Sequence, residues 1–171
     1  MCTFLFGSVC LIVVASILLE TGWRSVFTAQ PIPSQKSGIF YYEVTVLAQQ
    51  SNVSIGLVPT NQMPLGKKFG DYEGNYAYNS WGTLMGCTYE GLSYFEATHR
   101  FGARDVVGCG VNLKTGQIIY TKNGEPLNAK KLYFSADAEL FPCVSINGPG
   151  TKIEANFGPK FQFPLPTAFR N

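Results

Sequence analysis

Two turn signals in close succession between Asp105 and Gly124 constrain this chain more than any other stretch. Val106, Val107, Cys109 and Val111 form an apolar, β-branched run, Asn112-Leu113-Lys114-Thr115-Gly116 carries turn chemistry, and Ile118, Ile119 and Tyr120 form the return run. Lys122-Asn123-Gly124 then adds the Asn-Gly pair, which favours the positive φ angles of a two-residue turn. The stretch predicts a three-stranded meander too apolar to stand in water alone. A second layer has to cover it.

The remaining chain supplies that layer in the same material. Ser25–Thr28 reads as a short strand, Pro31-Ile32-Pro33 as an extended link, and Ile39–Leu47 as a long strand rich in aromatic and β-branched residues. Val53–Val58 follows through an implied hairpin at Gln49–Asn52. The segment Pro59–Glu73, with its glycines, prolines and a lysine pair, is longer than ordinary connections and is read as a functional loop. Tyr76–Ser80 and Thr83–Gly86 make a hairpin around Trp81-Gly82, and Leu140–Ile146 and Lys152–Asn156 are the last strands. Nothing after residue 22 has helical periodicity of useful length. An all-β, antiparallel two-sheet sandwich of roughly eight to eleven strands is expected. The length of 171 residues suits one such domain. With 13 Phe, 9 Tyr and 18 Gly against 14% charged residues, the composition fits pleated layers punctuated by turns.

The first residues differ from the rest. Cys2–Leu19 is uncharged throughout and ends at Glu20-Thr21-Gly22. Leu5–Val14 has the length of a signal-peptide apolar region, and Val13-Val14-Ala15 is a small-residue cleavage site. A removable leader over residues 1–22 is the first reading; a membrane anchor over residues 2–19 and a buried strand pair are the alternatives. Of the five cysteines, Cys87, Cys109 and Cys143 lie beyond that run, two of them inside apparent strands, and they form no disulfide framework. A secreted chain with buried free thiols fits a protein that works in a reducing compartment such as another cell's cytosol.

Several function classes are excluded or disfavoured. The net charge of +2 is spread over isolated pairs such as Lys67-Lys68 and Lys130-Lys131, which leaves no nucleic-acid footprint. A single histidine, His99, and the absence of Cys-x-x-Cys rule out a His-based metal cluster, so no metal or cofactor is expected. Gly108-Cys109-Gly110 fails the dinucleotide fingerprint at its third glycine and is read instead as a place where sheet faces approach closely. A hydrolase resting on His99 lacks any local signature, and His99 is read as a solvent-facing loop residue. Asn52-Val53-Ser54 is a glycosylation sequon at a strand start.

Six blocks carry a family resemblance: Phe40-Tyr41-Tyr42-Glu43-Val44, Ser54-Ile55-Gly56, Asp105–Val111, Tyr120–Gly124, Phe141–Ser145 and Glu154–Gly158. In this order and spacing, over residues 23–165, they resemble the SPRY domain, the core of the B30.2 fold. Gly22–Phe27, Pro31-Ile32-Pro33 and Lys152–Gly158 are most similar to the secreted SPRY effectors of plant-parasitic cyst nematodes, which resemble the SPRY domain of Ran-binding protein M. The resemblance implies a SPRY β-sandwich, a signal peptide and delivery into a host. Members usually have further strands before the Gly-Trp-Arg-Ser block, where this chain has only Glu20-Thr21. The sandwich therefore lacks N-terminal edge strands unless the apolar run supplies them.

The resemblance also implies a binding module, not an enzyme, whose partner is a protein or short peptide, a host protein in the effector reading. A monomer without nucleic-acid or, after leader removal, membrane partners is expected. Carried over block by block, the partner-binding loops fall at Gln30, Pro31 and Ile32, at Phe69, Asp71 and Tyr72, and at Ile146, Asn147 and Gly148. Phe69 and Tyr72 would be apolar anchors or core cover, Asp71 a charged selector, and Asn147 with the glycine amides the groups that pin an extended peptide. Trp81 is read as a structural turn aromatic. A carbohydrate-binding, lectin-like sandwich is the alternative function, because exposed Trp or Tyr rings can stack on sugars. Residues 166–171 form a short tail.

Overall fold

A computed structural model of the protein describes residues 3–4, 10–14, 22–34, 38–59, 67, 74–88, 93–134, 139–166 and 169. Among them the strands are β1 (Thr3–Phe4), β2 (Cys10–Val14), β3 (Trp23–Thr28), β4 (Ile39–Ala48), β5 (Val53–Val58), β6 (Tyr76–Asn79), β7 (Thr83–Cys87), β8 (Ser93–Ala97), β9 (Val106–Asn112), β10 (Ile118–Lys122), β11 (Glu125–Pro126), β12 (Phe141–Asn147) and β13 (Lys152–Asn156). They form two sheets, ordered β1-β3-β12-β5-β6-β7-β8 and β11-β10-β9-β4-β13-β2. All neighbours are antiparallel except the short β1, which lies parallel to β3.

The double hairpin forms as its turns require. Asn112 Oδ1 accepts the amides of Lys114 (3.0 Å) and Thr115 (3.2 Å), and Gly116 takes the positive φ of 76° that closes the first turn. Asn123 (φ 50°) and Gly124 (φ 82°) make the second, so that Lys122 pairs with Glu125. The strand β8 was not anticipated: its residues Ser93-Tyr94-Phe95-Glu96-Ala97 carry no turn signal and too little alternation.

Alternation then decides which side chains enter the core. Phe40, Tyr42, Val44 and Val46 of β4 meet Val107, Cys109 and Val111 of β9, and Ile118 and Tyr120 of β10, in one cluster with Ile55, Leu57, Tyr78 and Leu84 of the other sheet. Two tyrosines tie the layers together. Tyr42 donates its hydroxyl to the Gly56 carbonyl at 2.6 Å, and Tyr120 donates to the Ile55 carbonyl at 3.4 Å. Gly56 is the residue that admits them: a Cβ there would lie 1.8 Å from the Tyr76 carbonyl oxygen and 2.6 Å from the Tyr120 hydroxyl.

The opposite face of β4 is covered as well. Tyr41 packs edge-on against Phe161 at 5.0 Å, and the buried Glu43 carboxylate accepts the amides of Gln162 (2.6 Å) and Phe163 (3.0 Å). The close approach at Gly108 belongs to this face: Tyr41 of the neighbouring strand, bonded to Thr121 at 2.9 Å, occupies the place of a Cβ. The sheet-to-sheet contact expected at Gly108 and Gly110 is therefore corrected to side-chain and backbone contact within one sheet.

The described residues of the N-terminal run pair through their backbone at one end of each sheet. Thr3 and Phe4 flank Phe27 and Thr28, and Cys10–Val14 lie antiparallel to β13, with Val14 opposite Lys152 and Cys10 opposite Asn156. These residues occupy the edge positions that the match to further N-terminal strands left open.

Candidate binding rim

Register fixes two ends of the sandwich. Asn147, the end of β12, is opposite Trp23, whereas Phe141, its beginning, is opposite Val58. The upper end therefore collects the start of β3, the turn at 49–52, the Ser80-Trp81-Gly82 turn, the connection at 98–105 and the turn at 148–151. The lower end collects the connection after Thr28, the turn at 113–117 and both ends of the connection from Val58 to Tyr76.

The sequence-derived binding residues divide between these ends. Gln30 is exposed, Pro31 is half-buried, and Ile32 is buried with its amide donated to the Leu140 carbonyl at 2.7 Å, all at the lower end. Asn147 and Gly148 stand at the upper end, and Ile146 points into the core at 1% exposure. Phe69, Asp71 and Tyr72 lie outside the described residues. Because β3 runs antiparallel to β12, Gln30–Ile32 and Ile146–Gly148 sit at opposite ends of it and do not converge on one rim. Ile32 and Ile146 are core side chains and offer no surface to a partner.

The upper end is built tightly. The Thr151 side chain, with no exposure, accepts the amides of Gln50 (3.2 Å) and Ser51 (3.1 Å), and its Oγ1 lies 2.9 Å from Ser51 Oγ. The amide of Asn147 donates to the Asn52 carbonyl at 2.9 Å. Gly148 and Gly150 adopt φ angles of 95° and 80°, so the turn between β12 and β13 has a shape that side-chain-bearing residues resist. Thr151 thus latches two turns together from beneath, and Asn147 and Asn52 are presented beside each other.

Next to this latch the chain's two tryptophans meet. Trp23 and Trp81 pack edge to face with centroids 6.3 Å apart and an interplanar angle of 69°. Gly82 at φ 90° turns the chain behind Trp81, and its carbonyl accepts the Thr98 amide at 2.9 Å. Arg100 and Arg104 are exposed on the adjoining connection. Asp105 anchors it: its carboxylate accepts Asn123 Nδ2 (2.8 Å) and the Gly102 amide (2.8 Å) and lies 3.4 Å from Lys122 Nζ. Burial pushes the Asp105 carboxyl up, but the hydrogen bonds from Asn123 and Gly102 and the Lys122 ammonium outweigh it and hold the group below its usual range.

Sequence reasoning did not single out Trp23 or Thr151 and gave Trp81 only a turn role. The available signal was the recurrence of Trp beside Gly, in Gly22-Trp23 and Trp81-Gly82, at two strand ends. His99 is exposed, and it is its backbone carbonyl that Tyr78 holds, at 2.5 Å. The sequon is divided: Asn52 is exposed, whereas Ser54 is buried and donates to Asn79 Oδ1. What the rim offers is the exposed Asn52 beside Asn147 on latched turns, an aromatic pair and two guanidinium groups. That is equipment for recognition.

Comparison with known proteins agrees in kind. The family model described as SPRY domain matches residues 39–160. The chain is 32% identical over 136 residues to the Ran-binding proteins 9/10 homolog of Drosophila melanogaster, covering 78% of this chain and 14% of that protein. It is 31% identical over 135 residues to Ran-binding protein 9 of Xenopus tropicalis, covering 78% of this chain and 24% of the relative. The chain thus spans less than a quarter of the length of these relatives. Among solved structures, the SPRY domain of human HERC1 superposes with a TM-score of 0.59 at 19% identity, covering 82% of this chain and 86% of that one, a likeness of fold.

Proposed function

This chain belongs to the SPRY domain family, a family of protein-interaction modules, and from that premise we propose that it captures a protein partner at the upper rim. The observation that carries the proposal is the latch of Thr151 under the turns at 49–52 and 148–151, which holds Asn52 and Asn147 in fixed relation beside the Trp23–Trp81 pair. A rigid polar edge flanked by an aromatic anchor suits an extended peptide or a shallow surface patch, because little ordering is left to do on binding. Arg100 and Arg104 favour a partner segment with carboxylates near its end.

The cellular setting belongs to the same proposal. The chain is a secreted effector whose apolar segment within residues 1–22 carries a leader cleaved after Ala15 and whose target is a host protein, supported by the uncharged N-terminal run, the buried free thiols of Cys109 and Cys143, and the resemblance of Gly22–Phe27 and Lys152–Gly158 to nematode effectors. N-terminal sequencing of secreted protein tests this part; a mature chain that begins close after Ala15 is expected, and one that retains Cys2–Val14 refutes it.

The rim is tested with the double variant Trp81→Ala plus Asn147→Ala against a peptide display library. At least a tenfold loss of affinity for selected peptides is expected, about 1.4 kcal/mol or more, with little change in melting temperature. A Gln30→Ala variant should bind like the parent; if it loses binding while the upper-rim variant keeps it, the site is at the lower end. A glycan array is expected to show no specific hits, and specific hits lost on Trp81→Ala would return the lectin reading.

A further inference from the structure

The N-terminal run occupies both sheets on one side of the sandwich. β1 is the terminal strand of one sheet beside β3, and β2 is the terminal strand of the other beside β13. Between β3 and β13 the layers enclose an apolar cleft lined by Val26, Thr28, Val144, Ile153, Ala155 and Phe157, with Tyr42 at its floor. The same short run therefore closes two strand edges, those of β3 and β13.

We infer that loss of the N-terminal run converts this side into a strand-acceptor site, and that its occupant is an extended segment of a partner protein, apolar at alternate positions and rich in β-branched residues, that adds antiparallel to β13. The inference takes leader removal from the proposed function, but not the rim. Two observations specify the occupant. The segment seated there in the structure, Cys10–Val14, is Cys-Leu-Ile-Val-Val, which shows the chemistry and length the slot takes. The register supplies the rest: Ile153 and Ala155 of β13 are buried in the core, while Lys152 is exposed and Glu154 half-buried. Residues directly opposite in an antiparallel pair share a face, so positions opposite Ile153 and Ala155 must be apolar and the position opposite Glu154 is free to vary. In the chain itself those positions belong to Val13, Leu11 and Ile12 respectively. A bare edge of this kind gains main-chain hydrogen bonds from any added strand, and the pockets along its inner face select which.

The test uses the full chain with a site-specific protease sequence inserted between β2 and β3, so that it does not depend on cellular processing. After purification and cutting, binding of a labelled peptide spanning residues 8–16, Cys10→Ser and flanked by lysines for solubility, is measured on cut and uncut protein. Uptake by the cut form alone is expected, with amides of β13 losing hydrogen-exchange protection on cutting and regaining it with peptide. The peptide with Leu11→Lys and Val13→Lys should bind at least tenfold more weakly, and that with Ile12→Lys should bind like the parent. Equal binding by cut and uncut chain, indifference to Leu11→Lys and Val13→Lys, or pairing of two cut chains without peptide uptake would overturn the inference. So would unfolding on cutting, which would make the run an obligatory part of the core. The rim variants leave this binding unchanged, so failure here and failure at the rim are told apart.

Discussion

Thr151→Val is the sharpest probe of how the rim is held. Valine fills the same volume but has no acceptor, so the amides of Gln50 and Ser51, at 3.2 and 3.1 Å from the threonine oxygen, lose their partner beneath a side chain with no exposure. A lost hydrogen bond with a part-buried donor left unpaired costs about 1–1.5 kcal/mol, and two of them cost roughly 2–3 kcal/mol. The Ser51 hydroxyl adds little, because it retains the Gly148 carbonyl at 3.4 Å. For a domain of this size about 2–4 °C is lost per kcal/mol, which gives a fall of about 4–12 °C in Tm. Urea titration gives the free energy and differential scanning calorimetry the Tm; Thr151→Ser, which restores the oxygen, should recover most of both. Partner affinity should fall further than stability alone explains, since the turn that carries Asn52 loses its tie to Thr151 and keeps the Asn147 amide as its backbone hold on the facing turn. A loss under about 0.5 kcal/mol, the scale of an ordinary surface substitution, would show that the turns hold themselves and that the latch is incidental.

Gly56→Ala should be among the most damaging single substitutions: its Cβ meets the backbone of Tyr76, which cannot swing away, and an overpacking cost of about 3 kcal/mol or more is expected by denaturant titration. Glu43→Ala should release the C-terminal segment, seen as faster limited proteolysis beyond Gly158 and a stability loss of roughly 3–6 kcal/mol from two charge-assisted bonds. Alkaline pH should unfold the protein. Burial raises the Cys109 thiol from 9.0 to about 12 and the Tyr41 phenol from 10.0 to about 12, and it also raises Tyr42, Tyr120 and Cys143. The unfolded chain gives up these protons first, so stability is complete below about pH 9 and falls as pH rises toward 12. Circular dichroism against pH checks it, and a flat profile through this window would contradict the burial of these groups.

The fold was legible because its decisive signals are local. The alternation of Val107, Cys109 and Val111, and the Asn123-Gly124 pair, act over a few residues, and the strands they imply are those observed. The candidate site was less legible because it depends on strand direction. Gln30 follows β3 and Asn147 ends β12, and nothing in either stretch states that the two strands run in opposite senses, which puts these residues at different ends. Trp23 and Trp81 are far apart in sequence and meet only once β12 and β5 stand between their strands. The face covered by Tyr41 and Phe161 was hidden for a similar reason: a strand with aromatic residues at successive positions, Phe40-Tyr41-Tyr42, is buried on both sides and shows no alternation to read.

The tryptophan pair gives the molecule a built-in optical gauge. With both indoles of the chain at one edge, selective indole excitation reports that edge and nothing else. An edge-to-face pair at this distance also couples its transitions, so the near-ultraviolet dichroism carries a band that depends on the angle between the rings. Occupancy by a peptide, drift of the turns or displacement of one ring would each alter emission and dichroism in different proportion, without a dye, a tag or a substitution.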